Sequence, residues 1–476
     1  MSIPYVVDGE TDLDSALFNP IIDGVNFGGG PTLNVLAYGS TATGDGDADD
    51  TQVFQDAFTA AAAVNGTLLI PQPRSEYNIT STIEIEPPSG QEQTRIKTRS
   101  DGGIFDVQWR GGDAASVIRA RGLKDSHFQN LHINNPDDAD DLVFWDLVVD
   151  SDIGSISQNK WTQCSAHLRD GYAGTGWLYR NEGGSGDQSN FFFDTCVAEG
   201  DTHHGKGGIG WHNINPNALI HSWKNCYAYN LYSMYSANPR QGKLSADINA
   251  SVQTIGIDAT MIAQLPRGGG TILIETEQIT YTGISGSNLT GCTRGANGTS
   301  AASHLINVLA SASQSTANEF GSGGFTSGYF DGSGGGYNEW DYQLGVGNYM
   351  LVGGRMEEGR GFIYTGEYGV IPGHITLMGQ QIERYDPASY LMYFGAPAHV
   401  SIQTSLFMGT DFSGKFINVG GPSDQPYGII DMRTSTVQSS DDDLFHVESS
   451  TVVNATMSTI CGSDFIPTGA LEVALP

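Results

Sequence analysis

Three glutamates in the last third of the chain could form the acid pair that cleaves a glycosidic bond. Glu357 and Glu358 end the stretch LVGGRMEE, and Glu383 lies in the similar stretch LMGQQIER. Such hydrolysis needs one carboxylic acid to protonate the leaving oxygen and a second carboxylate as nucleophile or base. If the two stretches stack as neighbouring strands, Glu357 lies over Glu383 at about 4.8 Å. That spacing approaches the ~5–5.5 Å separation of a retaining pair.

Two interpretations of these glutamates remain open. In the first, like charges this close raise the pKa of one carboxyl, which suits a general acid, and Arg355 binds substrate beside them. In the second, the glutamates line a solvated wall and balance the nearby arginines Arg355, Arg360 and Arg384.

A second acid group lies in the stretch CVAEGDTHHGKGGIGWH at 196–212, which holds Glu199, Asp201, His203, His204 and Lys206. One His–His pair without a spaced partner lacks the ligand spacing of a zinc site, so we predict no metal and no cofactor. A carboxylate near histidine and lysine also suits β-elimination from a uronate polymer, in which a base removes a proton and a cation stabilises the resulting charge. The residues do not decide between hydrolase and lyase, and a polar turn is the alternative.

Aromatic side chains near these acids could bind sugar rings. Trp177, Trp211 and Tyr229 fall in or near the same part of the chain, and sugar C–H faces pack well on aromatic rings. We predict that these three residues bind substrate together with His203 and His204. An aromatic core is the alternative, and we expect Trp161, Phe193 and Trp223 to belong to it.

A repeat positions both acid groups. The segments WTQCSA, FDTCVA and WKNCYA begin at residues 161, 193 and 223, and FQNLHI at 128 fits with leucine in the cysteine place. A second series begins at residues 351, 377 and 401. Repeats of this length form stacked units, and their short alternating apolar runs between Gly, Asn and Asp are typical of strands.

The repeats predict an all-β protein, a right-handed parallel β-helix. Stacked rungs bury their inward side chains in columns, so aromatic residues should lie on aromatic residues and cysteine on cysteine. The chain has five widely spaced cysteines, which we interpret as buried thiols. Counting from the cysteine column, His167, Glu199 and Tyr229 share one column, while Arg169 and Asp201 share another.

A helix is predicted where the solenoid begins. Five apolar residues fall on one face at helical spacing: Val53, Phe54, Ala57, Phe58 and Ala61. An amphipathic helix laid across the open end would cover apolar core and an unpaired edge. We expect Asp50 to cap its N-terminus and Gly66 to end it. The acids Asp45, Asp47 and Asp49 have calcium-loop spacing, but the loop glycine is missing, which favours a role at the helix start.

This region resembles a known family. Tyr38-Gly39, Gly44-Asp45-Gly46, Asp49-Asp50-Thr51, the helix, LLIP and Tyr77 are similar to the start of pectate-lyase-like right-handed β-helix proteins, most of all those of bacteriophage tailspikes. The glycine of the family's P-x-G-x-Y stretch is absent from 71–77. The resemblance implies a homotrimer that binds and depolymerises a bacterial surface polysaccharide (capsule, O-antigen or exopolysaccharide). It also implies a place in the virion tail, with the N-terminus attached to a tail, baseplate or adaptor protein.

The resemblance and the repeats divide the chain into five parts. We predict a head at 1–33 that ends in a glycine hinge, β-helix at 34–242 and 314–440, and closing rungs with an end cap at 441–476. Residues 243–313 interrupt the repeats and resemble a small β module inserted in phage tail proteins, through Glu277, Tyr281, Arg294, Gly295, Asn297, Gly298, Thr299 and His304. Either this module contacts glycan, or it is a spacer in which Arg294 and His304 hold its own turns.

Charge and hydropathy exclude several classes of partner. The formal net charge of −31 opposes binding to nucleic acid and anionic membranes. No apolar run is long enough for a transmembrane helix, and the first residues lack a signal peptide pattern. Three functions remain: a tailspike depolymerase, a non-catalytic receptor-binding fibre, and a cellular pectate-lyase-like enzyme, which the lack of a signal peptide disfavours.

Overall fold

Strands that pair in parallel with the next rung form the main body of this computed structural model. The structure describes residues 30–39, 44–100, 105–112, 115–136, 139, 142–149, 153, 155–168, 174–181, 188–200, 208–213, 218–229, 231, 233–236, 241–257, 262, 270–275, 277–296, 299–312, 323–326, 329–331, 342–344, 349–353, 355–357, 362–364, 374–383, 390–394, 399–408, 415–419, 428–433, 435–438, 445–447, 451–456 and 459–461. Most of the predicted head, 1–29, lies outside these residues.

Three parallel sheets run side by side, and each rung gives one strand to each sheet in turn. Sheet A comprises Thr32–Asn34, Thr67–Ile70, Lys97–Ser100, His127–Gln129, Ile156–Ser157, Lys160–Thr162, Gln188–Asp194, Ala218–Lys224, Gly323–Thr326, Tyr349–Val352, His374–Met378, His399–Gln403, Gly428–Arg433 and Thr451–Thr456. Sheet B comprises Tyr77–Ile79, Phe105–Trp109, Leu131–Asn134, Ser165–His167, Val197–Glu199, Tyr227–Tyr229, Tyr329–Asp331, Arg355–Glu357, Gln381–Glu383, Leu406–Met408, Thr436–Gln438 and Thr459–Cys461. Sheet C comprises Ile83–Ile85, Ser116–Arg121, Val143–Val149, Thr175–Asn181, Ile209–Asn213, Ser233–Ser236, Tyr342–Gln343, Ile363–Tyr364, Tyr390–Phe394, Lys415–Val419 and Phe445–Val447. The predicted parallel β-helix is confirmed.

The core consists of the columns that the repeat predicts. Trp161 is in register with Phe128 and Phe193, and Phe193 with Trp223. Neighbouring rings stack, with centroids 5.0 Å apart for Trp161 and Phe193 and 5.8 Å apart for Phe193 and Trp223. The cysteine column is equally buried: Cys164, Cys196 and Cys226 are free thiols with at most 1% exposure. Cys292 is also buried and free, so the interpretation as buried thiols is confirmed for these four.

A single left-handed residue turns the chain from sheet A to sheet B in successive rungs. Its backbone N–H donates to the next rung, as Gln163 does to Asp194 O (2.9 Å) and Thr195 to Lys224 O (2.8 Å). The hydrogen-bond ladder therefore continues around the corner, which offsets the cost of positive φ in a residue with a Cβ. The residues with positive φ at this corner are Asn130, Gln163, Thr195, Asn225, Gly353, Gly379 and Thr404.

The helix predicted at the start of the solenoid is present and spans Thr51–Val64, after a 3-10 turn at Val35–Tyr38. All five residues of its predicted apolar face are buried. Phe54 meets Tyr77 of the first sheet B strand edge to face, with ring centroids 4.9 Å apart. No helix among the residues that the structure describes is both long and apolar enough to cross a membrane.

The two ends of the helix differ in detail from the sequence prediction. Asp50 is the N-cap residue, but its side chain accepts a hydrogen bond from Asn78 N (3.1 Å) rather than from the helix. The carboxylate of Asp49 instead accepts from Thr51 N (3.0 Å) and Thr51 Oγ1 (2.6 Å). Of the acids Asp45, Asp47 and Asp49, it is therefore Asp49 that contacts the first residue of the helix. The helix ends at Val64, and the residue that ends it in the left-handed conformation is Asn65 rather than Gly66.

The segment that interrupts the repeats forms two antiparallel sheets. The first comprises Gln241–Lys243, Leu309–Ala312, Gly270–Ile274 and Glu277–Tyr281, and the second comprises Ile255–Gly256, Asn288–Thr290 and Gly283–Ser285. These strands enclose a hydrophobic cluster separate from that of the solenoid. The segment lies between a sheet C strand and a sheet A strand, in the position of a rung connection.

A buried ion pair holds the turns of this segment. Glu277, 1% exposed, accepts hydrogen bonds from Arg294 Nε (2.8 Å) and Nη2 (2.7 Å) and from Gly295 N (2.9 Å). The Nε2 atom of His304 lies 2.8 Å from the same carboxylate. Burial raises the pKa of Glu277, but these hydrogen bonds outweigh it and bring the pKa down to about 2. Arg294 and His304 therefore contact the buried Glu277 carboxylate in the way that the spacer alternative requires.

Candidate active site

The outer face of sheet B carries a column of polar residues at the last position of its strands. In Ser165–His167, Val197–Glu199 and Tyr227–Tyr229 the middle alanine is completely buried, whereas the residues on either side are partly exposed. The third residue of each strand therefore lies on the outer face. Successive rungs place six residues in register here: His167, Glu199, Tyr229, Asp331, Glu357 and Glu383. We call this set the acidic column.

The register confirms two placements that the sequence predicts. Glu357 is the direct partner of Glu383 on the next strand, and Glu199 is the partner of both His167 and Tyr229. The structure also joins the two predicted acid groups into one column, because Asp331 pairs with Tyr229 on one side and Glu357 on the other.

Asp331 is the residue that the sequence prediction missed. Its rung begins FTSGYF at Phe325, which keeps the aromatic place of the repeat but has Gly328 in the cysteine place and Phe330 in the alanine place. Phe325 pairs with Trp223, so this rung follows directly on the last rung before the insert. The only sequence signal for Asp331 was the aromatic residue Phe325, from which the position of Asp331 in the repeat could have been counted.

The register fixes the spacing between the acids along the column. Neighbouring parallel strands lie about 4.8 Å apart, so Asp331, Glu357 and Glu383 follow one another at that interval along the backbone. Glu199 and Asp331 have Tyr229 between them and are about 10 Å apart along the same column. The column therefore offers both a close and a distant pair of acids.

A second outer column runs beside the first, two residues earlier on each strand. It contains Tyr227, Tyr329 and Arg355 in register. The rings of Tyr227 and Tyr229 are parallel, with an interplanar angle of 2° and centroids 6.2 Å apart, and both residues are partly exposed. The predicted substrate residues Tyr229 and Arg355 thus lie on the same face as the acids, and Tyr227 adds an aromatic ring that the sequence did not single out.

The acidic column borders the connections from sheet B to sheet C, because each of its residues ends a strand. The connections after Glu199 and Glu357 are 200–208 and 358–362. Four predicted site residues fall in them and lie outside the described residues: Asp201, His203, His204 and Glu358.

Trp177 and Trp211 do not bind substrate at the surface, contrary to the prediction. Both side chains are completely buried, and their indoles stack with centroids 5.0 Å apart and an interplanar angle of 6°. They are register partners on sheet C, and both pack against Phe193 of sheet A. The sequence repeat marks sheets A and B but not sheet C, so it did not reveal that these tryptophans continue the core.

Sheet C also carries a cluster of carboxylates, and they are already paired with neighbouring arginines. Asp146, 1% exposed, accepts hydrogen bonds from Arg180 Nε and Nη2, both at 2.6 Å, and from Ser116 Oγ at 3.0 Å. Burial raises the pKa of Glu84, which lies in the same outer column of sheet C, against the opposing effect of Arg119. Because both oxygens of Asp146 are already bound, this cluster stabilises the sheet and is a weaker candidate for catalysis.

The part of the chain that the structure describes contains no cluster of three or more His, Cys, Asp or Glu side chains placed to hold a metal ion. Asp45 instead accepts hydrogen bonds from the backbone of Asp47 (3.0 Å) and Ala48 (3.2 Å).

No family model and no curated protein matches this chain. Among solved structures, the Dettilon tailspike protein is 10% identical, with a TM-score of 0.47, and the match covers 93% of this chain and 68% of the tailspike. ORF18 of Geobacillus virus E2 is also 10% identical, with a TM-score of 0.37 and coverage of 88% of this chain and 66% of that chain. The Agl-KA catalytic domain is 10% identical, with a TM-score of 0.42 and coverage of 91% and 68%. The chain thus spans about two thirds of the length of these structures, and its fold is assigned from its own strand pairing.

Proposed function

We propose that this chain binds and depolymerises a bacterial surface polysaccharide, in the manner of a bacteriophage tailspike, and that the acidic column carries the reaction. The observation that supports the proposal most is the register of Asp331, Glu357 and Glu383 on neighbouring strands of one face. A polymer can lie along such a face and meet successive acids without entering a closed pocket. The sequence resemblance at 38–77 supports the tailspike assignment independently.

The spacing of the acids selects a mechanism for each pair. Neighbouring acids such as Glu357 and Glu383 are spaced for retention, in which one carboxyl protonates the leaving oxygen and the other attacks the sugar. Glu199 and Asp331 are spaced near the ~6.5–9.5 Å range that leaves room for a water molecule, which favours inversion. If the polymer contains uronates, an acid of the column can remove the C5 proton while Arg355 stabilises the charge that develops. The bond from C4 to the glycosidic oxygen then breaks, and a second acid of the column protonates the leaving oxygen.

The wider assembly belongs to the same proposal. A homotrimer in the virion tail, with the N-terminal segment attached to a tail or adaptor protein, follows from the family resemblance. A polysaccharide is the chosen partner because parallel tyrosines and acids share one outer face, and because the net charge of −31 disfavours nucleic acid.

The test is cleavage of host polysaccharides by the purified chain, followed by reducing ends and by absorbance at about 235 nm, where the unsaturated product of a lyase absorbs. We expect Glu199→Gln, Asp331→Asn, Glu357→Gln or Glu383→Gln to lower single-turnover cleavage by at least about 10²-fold at the reacting pair. Polymer binding should persist, because an amide keeps the shape of the side chain while removing its charge. Asp201→Asn and Glu358→Gln test the adjoining connections.

The matched control is Asp431→Asn, since Asp431 lies on the outer face of sheet A and pairs with Arg433 at 2.7 Å. It should cleave like the wild type. Full activity in all of the column and connection variants would exclude the acidic column. Binding without cleavage by the wild type would instead favour the receptor-binding fibre.

A further inference from the structure

Near the N-terminal end of the solenoid, the outer face of sheet A carries a column of basic residues, although the protein contains few basic residues. The chain has 22 Lys and Arg against 53 Asp and Glu. On three successive strands, however, Lys97, His127 and Lys160 are direct register partners. Arg99 is exposed two residues after Lys97, on the same outer face.

The fold itself does not require this arrangement. Like charges stacked on neighbouring strands destabilise a sheet, and the two lysines lie about 10 Å apart with His127 between them. Burial, together with Lys160 and Lys97, lowers the pKa of His127 to about 4, so this histidine is neutral near pH 7. The contacts that balance the column are weak: Lys160 lies 3.7 Å from Asp194, and the side chain of Lys160 is 43% exposed.

An exposed aromatic residue continues the column. Phe192 is the register partner of Lys160 on the next strand, and its side chain is 43% exposed. The following position is Ser222, and Lys224 lies exposed two residues later on the same strand. The exposed ring of Phe192 offers an apolar surface on which a sugar ring can pack. The neighbouring lysines can pair with acidic groups of that sugar.

We propose that this face of sheet A, comprising Lys97, Arg99, Lys160, Phe192 and Lys224, is a second binding site that takes an acidic saccharide. It would hold the polymer away from the acidic column on sheet B, at a site that does no chemistry. The ligand class follows from charge complementarity, because a strongly acidic protein attracts a polyanion only where its cations are concentrated. The proposal rests on the proposed function in that both sites bind one polysaccharide, whose repeat must then contain acidic sugars.

The probe is an oligogalacturonate of about eight residues, compared with the same oligomer after reduction of its carboxyl groups, and binding is followed by calorimetry. The wild type should bind the acidic oligomer and not the reduced one, and added salt should weaken binding because exposed charges are screened. Lys97→Gln with Lys160→Gln should weaken binding roughly 2- to 30-fold, as the loss of two exposed charge contacts would. Phe192→Ala should weaken it about 3- to 10-fold.

The matched control is Lys243→Gln with Arg110→Gln, which changes the net charge equally at two exposed positions outside sheet A, one in the segment that interrupts the repeats and one just after a sheet B strand. It should bind the oligomer like the wild type. All variants should melt near the wild-type temperature, since Lys97 is exposed and Lys160 and Phe192 are each 43% exposed. If both double variants lose the same affinity for the oligomer, net charge alone explains the loss and the proposed site is wrong.

The outcomes separate this site from the proposed cleavage. If the wild type cleaves host polysaccharide but does not bind oligogalacturonate, or if the sheet A variants bind it unchanged, the second site is wrong and the proposed function stands. If the sheet A site binds the oligomer and no polysaccharide is cleaved, the second site stands alone. A different outcome would be that the wild type does not bind oligogalacturonate and that sedimentation shows the lysine variants dissociating a protein oligomer. The face would then contact another copy of the chain, and the proposal would fail.

Discussion

At the scale of single residues, the sequence predicts the placement of side chains only where its repeat is complete. The stacking of Glu357 on Glu383 followed from two similar stretches, and the register confirms it. Asp331 was missed because its repeat lacks both the cysteine and the alanine, and Trp177 and Trp211 were placed outside because sheet C has no repeat signature. Residues on either face were therefore predicted where the repeat gives the register of the strand, and were missed where the repeat is incomplete or absent.

His221 gives a residue-scale prediction about acid stability. This side chain is 3% exposed, and its ring stacks on that of Tyr179 with centroids 5.1 Å apart. Neither ring nitrogen of His221 has a hydrogen-bond partner among the described residues. Burial lowers the pKa of His221 to about 3 from the ordinary 6.5. Above pH 6.5 the histidine is neutral in both states. As the pH falls below 6.5, only the unfolded chain gains the proton, so stability is lost progressively down to about pH 3.

We expect His221→Phe to lose less stability than the wild type between pH 7 and pH 4.5. The difference should be on the order of 2–3 kcal/mol, because each pKa unit is worth about 1.4 kcal/mol. Phenylalanine fits the site, since Phe191 holds the same register position one rung earlier. Denaturant unfolding at the two pH values measures the difference, and His399→Phe on the exposed face of sheet A is the control. Equal acid losses in His221→Phe and the wild type would show that His221 is not the titrating group.

At the scale of elements, the helix at the start of the solenoid shows which features are local. Its buried face was predictable from apolar spacing alone, and all five residues are buried. The N-cap residue, Asp50, was predicted too, but the side-chain partners of Asp49 and Asp50 were not, because the two acids are equally suitable in sequence and the structure gives each a different partner. The Asp49 carboxylate also accepts from Thr80 Oγ1 (2.7 Å), while that of Asp50 accepts from Asn78 N, and both partners lie about 30 residues further along the chain. Side-chain contacts with distant parts of the chain cannot be predicted from the helix sequence alone.

The same helix carries the second prediction at this scale. Phe54→Asp and Phe58→Asp should each lower the free energy of unfolding by several kcal/mol, because either change buries an unpaired charge against the end of the solenoid. The two phenylalanines are 2% and 1% exposed. Thr59→Asp, on the exposed face of the same helix, should stay within about 0.5–1 kcal/mol of the wild type. Wild-type melting of both phenylalanine variants would mean that the helix does not cover the core.

At the scale of the whole molecule, the stack of rungs continues across the interruption of the chain. Trp223 pairs directly with Phe325, and Tyr229 with Asp331, although some one hundred residues separate them. Sequence predicted the interruption from the loss of the aromatic–cysteine pattern, with bounds of 243–313. The paired strands place its start at Gln241, because strand Gln241–Lys243 is held antiparallel by Leu309–Ala312. The segment therefore begins and ends on neighbouring strands of its own sheet, with a hydrophobic cluster of its own.

This arrangement predicts that the segment can be removed. Deleting residues 241–312 and joining the ends through a short flexible linker should leave the solenoid folded, because each rung is stabilised by its immediate neighbours. The contact of Trp223 with the rung of Phe325 is made by the solenoid strands alone. Far-UV circular dichroism should keep its β signal, and thermal unfolding should stay cooperative.

If the segment is only a spacer held together by Glu277 and Arg294, polysaccharide cleavage should also survive the deletion. A matched variant, Arg294→Leu in the full chain, would remove the arginine from the buried Glu277 carboxylate and should destabilise the segment while the solenoid still melts as before. A deletion variant that loses its β signal would show that the rungs on either side depend on the segment, and a folded deletion variant that no longer binds polysaccharide would assign the segment to glycan recognition.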